Sequence, residues 1–165
     1  MLQLSRGDPK GVAPTRCLTP RRLFVTAFPQ SAYLTILTHA PAESVKLFAD
    51  DLLPLLGTIT VIKNSTGLVM LPYTDTAKGA RFHLGEVLVA EAHVRLGNGV
   101  EGYAACVGRD LLQALAIALL DAALQSDIHT DSITTFINQQ HMAQQQADDR
   151  LLRQVEATRI AMETF

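Results

Sequence analysis

From Ser31 the apolar residues recur at helical intervals. Tyr33, Leu34, Ile36 and Leu37 fall on one face of a short helix that must end near Ala40, ahead of Pro41. A second helix starts at once: Pro41 suits a first helical position and Glu43 complements the N-terminal dipole. Val45, Phe48, Leu52 and Leu55 then repeat until Gly57 closes the segment, with Pro54 able to shorten it. After Gly57 the period becomes two. Thr58-Ile59-Thr60-Val61-Ile62 leads into the turn-forming residues Asn64-Ser65-Thr66-Gly67 and a second apolar run over residues 68 to 73, a pattern that predicts a β-hairpin. Residues 74 to 80 read as a loop. Two further strands, 81 to 96 and 100 to 107, flank Gly97-Asn98-Gly99, where Asn-Gly is a strong hairpin signal.

The expected fold class is therefore α+β: a four-stranded, mainly antiparallel sheet packed by helices, with helices before it and an extended helical arm at the C-terminus. With Asn98 and Gly99 as the two turn residues, Arg95 faces Gly102, His93 faces Ala104 and Glu91 faces Cys106 on one side of the ribbon. The other side is then apolar, Ala92, Val94 and Leu96 lying across from Ala105, Tyr103 and Glu101, and helices should pack there.

The last strand runs into Gly108-Arg109-Asp110 and a helix over residues 111 to 125, with Asp110 as N-cap and Gln113 completing a capping box. Between Gln113 and Asp121 every residue of this helix is Ala, Leu or Ile, and its polar strip is Gln113, Asp121 and Gln125. Nearly the whole circumference wants cover, so the helix should lie between the sheet and either the other helices or a partner chain. From Asp131 a further helical pattern carries Ile133, Phe136 and Ile137, crosses a polar, Gln-rich stretch from 138 to 150 and resumes with Leu151, Leu152, Val155, Ile160 and Phe165. A helix with a solvated middle and an apolar end suits an arm that reaches onto another protein.

Composition narrows the class. At 165 residues one domain is the natural count, and 48 % apolar against 18 % charged residues is too apolar for disorder. Trp is absent and aromatics make up 5 %, which argues against a base-stacking nucleic-acid platform. The net charge of −2 conceals a basic head: residues 1 to 22 hold Arg6, Lys10, Arg16, Arg21 and Arg22 against Asp8 alone. With Pro9, Pro14, Pro20, Gly7 and Gly11, residues 1 to 28 read as an unfolded or mis-assigned N-terminal tail, leaving 29 to 165 as one domain with its C-terminal arm. Cys17 and Cys106 form neither a disulfide framework nor a zinc-ligand spacing, which fits a reducing cytoplasm. Arg21-Arg22 has the outline of a twin-arginine export signal, but Pro29, Gln30, Ser31, Thr35 and His39 interrupt the stretch that follows, and no membrane segment is expected.

Candidate chemistry is sparse. Gly108, Arg109 and Asp110 stand at a helix N-terminus, where free N–H groups, the dipole and a guanidinium together suit a phosphate or phosphonate; a plain capped junction, with Asp110 occupying those N–H groups, is the competing reading. Glu91, His93 and Arg95 project from one strand face, a row suited to an interface or solvated surface, with proton transfer the remoter use. His39, His83, His129 and His141 are scattered, with no spacing for a metal site. No Gly-rich phosphate loop, nucleophile elbow or paired Cys motif occurs, so neither a catalytic residue nor a cofactor is assigned to the chain itself.

A series of short matches runs in order along the chain: residues 34 to 39 with Pro41-Ala42-Glu43, then Gly67-Leu68-Val69, Arg81-Phe82 with Gly85-Glu86, and Val94-Arg95-Leu96. Gly102-Tyr103, Gly108-Arg109-Asp110, Asp121-Ala122 and Ala157-Thr158-Arg159-Ile160 follow. Together they resemble the PhnG family, the G subunit of the bacterial carbon-phosphorus lyase system for phosphonate use, over roughly residues 31 to 165. The resemblance implies a cytoplasmic core complex with H, I and J subunits, in which ATP and an alkylphosphonate give a ribose 1-phosphonate 5-triphosphate and adenine. It implies that the I subunit is the catalyst, that an iron-sulfur cluster and S-adenosylmethionine belong to the J subunit, and that this chain is an accessory subunit serving phosphorus acquisition. A homodimer contact is compatible with it. The alternative is a stand-alone module that senses a phosphorylated ligand at Gly108-Arg109-Asp110.

Overall fold

A computed structural model describes residues 28–157; the expected tail, and the last apolar positions of the arm at Ile160 and Phe165, lie outside the described residues. In chain order the elements are α1 (Gln30–His39), α2 (Ala42–Leu56), β1 (Ile59–Thr74), β2 (Arg81–Leu96), β3 (Glu101–Val107), α3 (Leu111–Gln125) and α4 (Thr130–Ala157). The class is α+β as expected, but the sheet has three strands in the order β1-β2-β3, both pairs antiparallel.

The missing fourth strand is a merger. Residues 59 to 74 do not fold back at Asn64-Ser65-Thr66-Gly67 but run on as one strand, paired with β2 from Ile59↔Leu96 to Thr74↔Arg81. Turn-favouring residues make a turn only when the flanking segments gain by pairing with each other. Here the 16-residue β2 offers both halves of β1 a ladder, and two irregularities, between Val61 and Lys63 and between Leu71 and Pro72, absorb the mismatch. The chain reverses instead at residues 75 to 80, where the Asp75 carboxylate accepts the N–H groups of Ala77 (3.1 Å) and Lys78 (3.0 Å).

The β2–β3 register differs by one residue from that expected. Leu96 N–H donates to the Val100 carbonyl (2.9 Å) and Gly99 N–H to the Leu96 carbonyl (2.9 Å), with Gly99 at φ 85°. This is a three-residue loop, a turn followed by a left-handed glycine, instead of a two-residue Asn-Gly turn. The one-residue slip carries every β3 side chain to the opposite face. Arg95 pairs with Glu101, His93 with Tyr103 and Glu91 with Ala105, while Ala92 and Val94 pair with Ala104 and Gly102. The inner face is thus Ala90, Ala92, Val94, Leu96, Ala104 and Cys106, all buried.

α3 lies on that small-residue face. Ala114 and residues 116 to 124 are buried between the sheet and a second layer made of α1, α2 and α4. The chain's own helices therefore supply the cover that its circumference demands. The capping box forms at least in its first half, Asp110 Oδ1 accepting Gln113 N–H at 3.0 Å. α2 persists through Pro54 to Leu56 and ends at Gly57, φ 71°. α4 is one helix of 28 residues, held near its start by the buried Ile133 and Ile137 and by stacking of Phe136 on Phe48. Gln144 donates to the Ile36 carbonyl (2.8 Å), and beyond it no described α4 residue is buried.

Two features carry the function argument. Helix and sheet approach so closely at Gly102 that a Cβ there would lie 2.6 Å from Ala122 N and 2.7 Å from Ala122 Cβ, with the Ala118 carbonyl nearer still. At the other extreme, β3 and α3 stop where Val107 meets Val89, and β1 and β2 continue past them as a naked two-stranded ribbon. Seven more residues of β1 and eight of β2 carry its tip roughly 25 Å further.

Candidate functional site

Three polar or exposed constellations stand out. At the inner seam, Asp121 is fully buried in the middle of α3. The sequence pattern assigns it to a polar strip of the helix; the structure turns it inward, between α1 and β3. Its carboxylate accepts the Tyr33 hydroxyl (2.5 Å), Gln30 Nε2 (3.1 Å), Gln125 Nε2 (3.0 Å) and the backbone N–H of Tyr103 (3.0 Å). A buried charge is tolerable only when paired or saturated with donors, and four donors from three elements do that here. Burial, then Asp121, raises the pKa of Tyr33, which keeps its proton as donor. Sequence reasoning missed this clamp, although one acidic residue inside an otherwise Ala- and Leu-lined helix was the available signal.

On the outer sheet face Glu91, His93 and Arg95 do share one side, and the structure adds Lys63, Glu101 and Tyr103 to them. Small residues were expected opposite; the register places a carboxylate there. Glu101 accepts Arg95 Nε (2.8 Å) and Nη2, and lies 2.9 Å from His93 Nε2, while Lys63 bonds Glu91 at 2.6 Å. Arg95 first, then His93, holds the Glu101 carboxyl below its ordinary pKa; Lys63 does the same for Glu91. The Tyr103 phenol, edge-on to the His93 ring at 6.3 Å, is pushed up by burial and then by Glu91. Cations and carboxylates here satisfy one another, which makes a charged but internally balanced surface.

At the β3–α3 junction Gly108 has φ 110° and donates its N–H to the Leu88 carbonyl (2.8 Å). Only glycine enters that backbone region without strain. Arg109 projects into solvent, with no ion pair among the described residues. Asp110 caps α3 and pairs with Lys46 (2.8 Å), which also reaches Glu43 (3.0 Å). Lys46, then the Gln113 amide, lowers the pKa of Asp110. The structure thus separates the three residues by role: a left-handed hinge, an exposed guanidinium and a cap already joined to a lysine.

No group of three or more His, Cys, Asp or Glu among the described residues is placed to hold a metal ion. The apolar groove between α2 and α3, bordered by Lys46, Leu53, Leu112 and Leu119, holds about 180 Å³, below the roughly 300 Å³ at which ligand pockets usually begin. No described helix is long and apolar enough to cross a membrane.

The broadest exposed feature is apolar. No residue from 66 to 88 is buried, and Leu68 (64 % exposed), Val69 (50 %), Met70 (52 %), Leu71, Tyr73, Phe82 and Leu84 (64 %) all lie on the ribbon. The family model of the phosphonate metabolism protein PhnG matches residues 29–165. The chain belongs to the PhnG family. Among curated proteins it is 38 % identical over 85 residues to the alpha-D-ribose 1-methylphosphonate 5-triphosphate synthase subunit PhnG of Rhizobium meliloti (strain 1021). That alignment covers 52 % of this chain and 54 % of the relative, so the chain spans about half the length of the curated relative it matches. The family match encloses the Asp121 clamp, the outer polar face, the 108–110 junction and the ribbon alike.

Proposed function

We propose that the chain is a non-catalytic subunit of a ribose 1-methylphosphonate 5-triphosphate synthase, assembling with the H, I and J subunits in the cytoplasm for phosphonate use. In that reaction a phosphonate oxygen replaces adenine at the ribose C1 of ATP: the C1–N bond breaks, a C1–O bond forms, and adenine leaves carrying a proton. The I subunit carries that step, and later carbon-phosphorus cleavage, with its iron-sulfur cluster and S-adenosylmethionine, falls to the J subunit. This chain supplies surface. The observation that carries the reading is the ribbon, on which Leu68, Val69, Met70, Leu71, Tyr73, Phe82 and Leu84 all stand exposed together, the kind of apolar surface that marks a contact with another protein.

Co-expression of the full chain with the H, I and J subunits tests it. One co-eluting complex is expected, with ATP- and phosphonate-dependent adenine release that is lost when this chain is omitted. Separate elution, or undiminished adenine release without it, refutes the reading. The exposed Arg109 lets the same assay examine an anion role at the 108–110 junction. If that junction binds the phosphonate or triphosphate, Arg109→Ala raises the KM for one of them at unchanged assembly. Unchanged KM values leave the junction a capped turn.

A further inference from the structure

Four residues, 126 to 129, join α3 to α4, and they divide into a finished helix end and a single free joint. The α3 end is closed twice over. Asp127 N–H donates to the Leu124 carbonyl (3.2 Å) and Ile128 N–H to the Ala123 carbonyl (3.0 Å), with Asp127 at φ 56° in the left-handed position that glycine usually fills. Ile128, partly buried, packs against the core and ties this cap down. α4 starts one residue later, where Ile133 N–H donates to the His129 carbonyl (3.1 Å), and His129 is left-handed as well, at φ 49°. One residue therefore sets the direction in which a helix of 28 residues departs.

That direction is held against local cost. A non-glycine residue at positive φ persists when its surroundings over-determine it, yet Asp127 and His129 are both exposed. Beside them the Ser126 and Thr130 hydroxyl oxygens are buried with no hydrogen-bond partner among the described residues. A buried hydroxyl that pairs with nothing has given up water without return. The penalties at 129 and 130 disappear if α4 lifts away, because residue 129 can then relax to negative φ and the Thr130 hydroxyl meets solvent. What holds α4 down is slight: α3 buries ten of its residues, α4 only Ile133 and Ile137. The Phe48–Phe136 stack at 4.3 Å and the bond from Gln144 to the Ile36 carbonyl add to these. Elements with few buried contacts open well below the free energy of global unfolding. We infer that His129 is a hinge about which α4 undocks as a unit while the sheet, α3 and the Asp121 clamp stay folded. Undocking uncovers Ile133, Phe136 and Ile137 and lets the long helix take another direction.

Two thiols in one molecule test the hinge. In the full chain carrying Cys17→Ser and Ile137→Cys, the buried Cys106 reports opening of the sheet and α3, and the thiol at position 137 reports undocking of α4. Position 137 is expected to react with a thiol reagent about tenfold faster than Cys106, each rate scaled to that of the same peptide in urea. His129→Val places a β-branched residue where the left-handed region rejects it; it should speed position 137 about tenfold and leave Cys106 unchanged. Thr130→Val removes the orphan hydroxyl at nearly equal volume and should slow position 137 roughly fivefold. Hydrogen exchange of the chain without the added thiol reads the same motion independently: residues 133 to 144 should exchange about tenfold faster than 114 to 124 and shift in the same directions with the two substitutions. Equal scaled rates at 137 and 106, matched by equal exchange of the two helices, mean that α4 opens only with the whole domain and overturn the hinge. Acceleration of both thiols alike by His129→Val overturns it too, since residue 129 then serves the global fold. A Thr130→Val rate at or above the parent's shows that the docked junction is not under strain, and the inference fails.

Discussion

Gly102→Ala is the smallest change to the seam between α3 and the sheet. A Cβ at residue 102 would stand 2.6 Å from Ala122 N and 2.7 Å from Ala122 Cβ, and these are backbone or backbone-fixed atoms that cannot rotate away. Restoring ordinary carbon contacts near 3.5 Å requires α3 to retreat by about 1 Å. That retreat stretches the bond from Tyr103 N–H to Asp121, now 3.0 Å, past hydrogen-bonding range. Overpacking costs roughly 1–3 kcal/mol and loss of a hydrogen bond to a charged group roughly 1.5–3, against which the alanine's lower unfolded-state entropy returns about 0.4–1. The net expectation is a loss of about 2–5 kcal/mol, which in a domain of this size is a fall in Tm of roughly 6–20 °C. Urea unfolding followed by far-ultraviolet circular dichroism, with the slope compared to confirm an unchanged transition, measures it. An unfolding free energy within about 0.5 kcal/mol of the parent's would show that the helix accommodates the methyl freely and that close approach at Gly102 does not hold the layers together.

Asp121→Ala strands four donors at once and should cost about 3–5 kcal/mol, whereas Tyr33→Phe, which removes one of them, should cost about 1.5–3; equal losses in the same urea titration would contradict the shared-acceptor arrangement. Alkaline pH should destabilise the fold. Burial raises the Tyr33 pKa above its ordinary 10 and moves Cys106 from 9.0 to about 11, so between pH 9 and 11 the unfolded chain releases protons that the folded chain keeps, and stability falls. A lower urea midpoint at pH 10.5 than at pH 8, with a smaller drop in the Cys106→Ala variant, is the expected outcome. In a Cys17→Ser background the buried Cys106 thiol should react with a thiol reagent at pH 8 only as fast as the protein opens, and immediate labelling in the native state would disprove its burial.

Helix ends were the most legible part of the chain, because local chemistry sets them: Pro41 and Gly57 bracket α2, and Asp110 with Gln113 marks the start of α3. Strand pairing was less legible because it is decided between segments. Asn64-Ser65-Thr66-Gly67 has turn composition, yet residues 81 to 96 formed an uninterrupted strand whose length already called for an equally long partner, and that constraint outweighs four local preferences. The β2–β3 slip turned on whether Gly97 belongs to the loop, a difference of one residue that moved Glu101 from the inner face to the outer and created the His93–Glu101–Arg95 network. The placing of surplus apolar surface also shifted. α3 called for cover from the other helices or a partner chain; small side chains on β2 and β3 and the neighbouring helices enclose it, and the bare surface is the ribbon instead. Asp121 illustrates a limit of periodicity: a 3.6-residue pattern reports which stripe a residue occupies, not whether that stripe meets water or a set of donors.

The Asp121 clamp also blunts one border of the sheet. Its carboxylate takes the outward N–H of Tyr103, so an incoming strand cannot pair at that position of β3, while the edge of β1 stays open. Strand addition is therefore easier at β1, and misassembly of this chain should begin there.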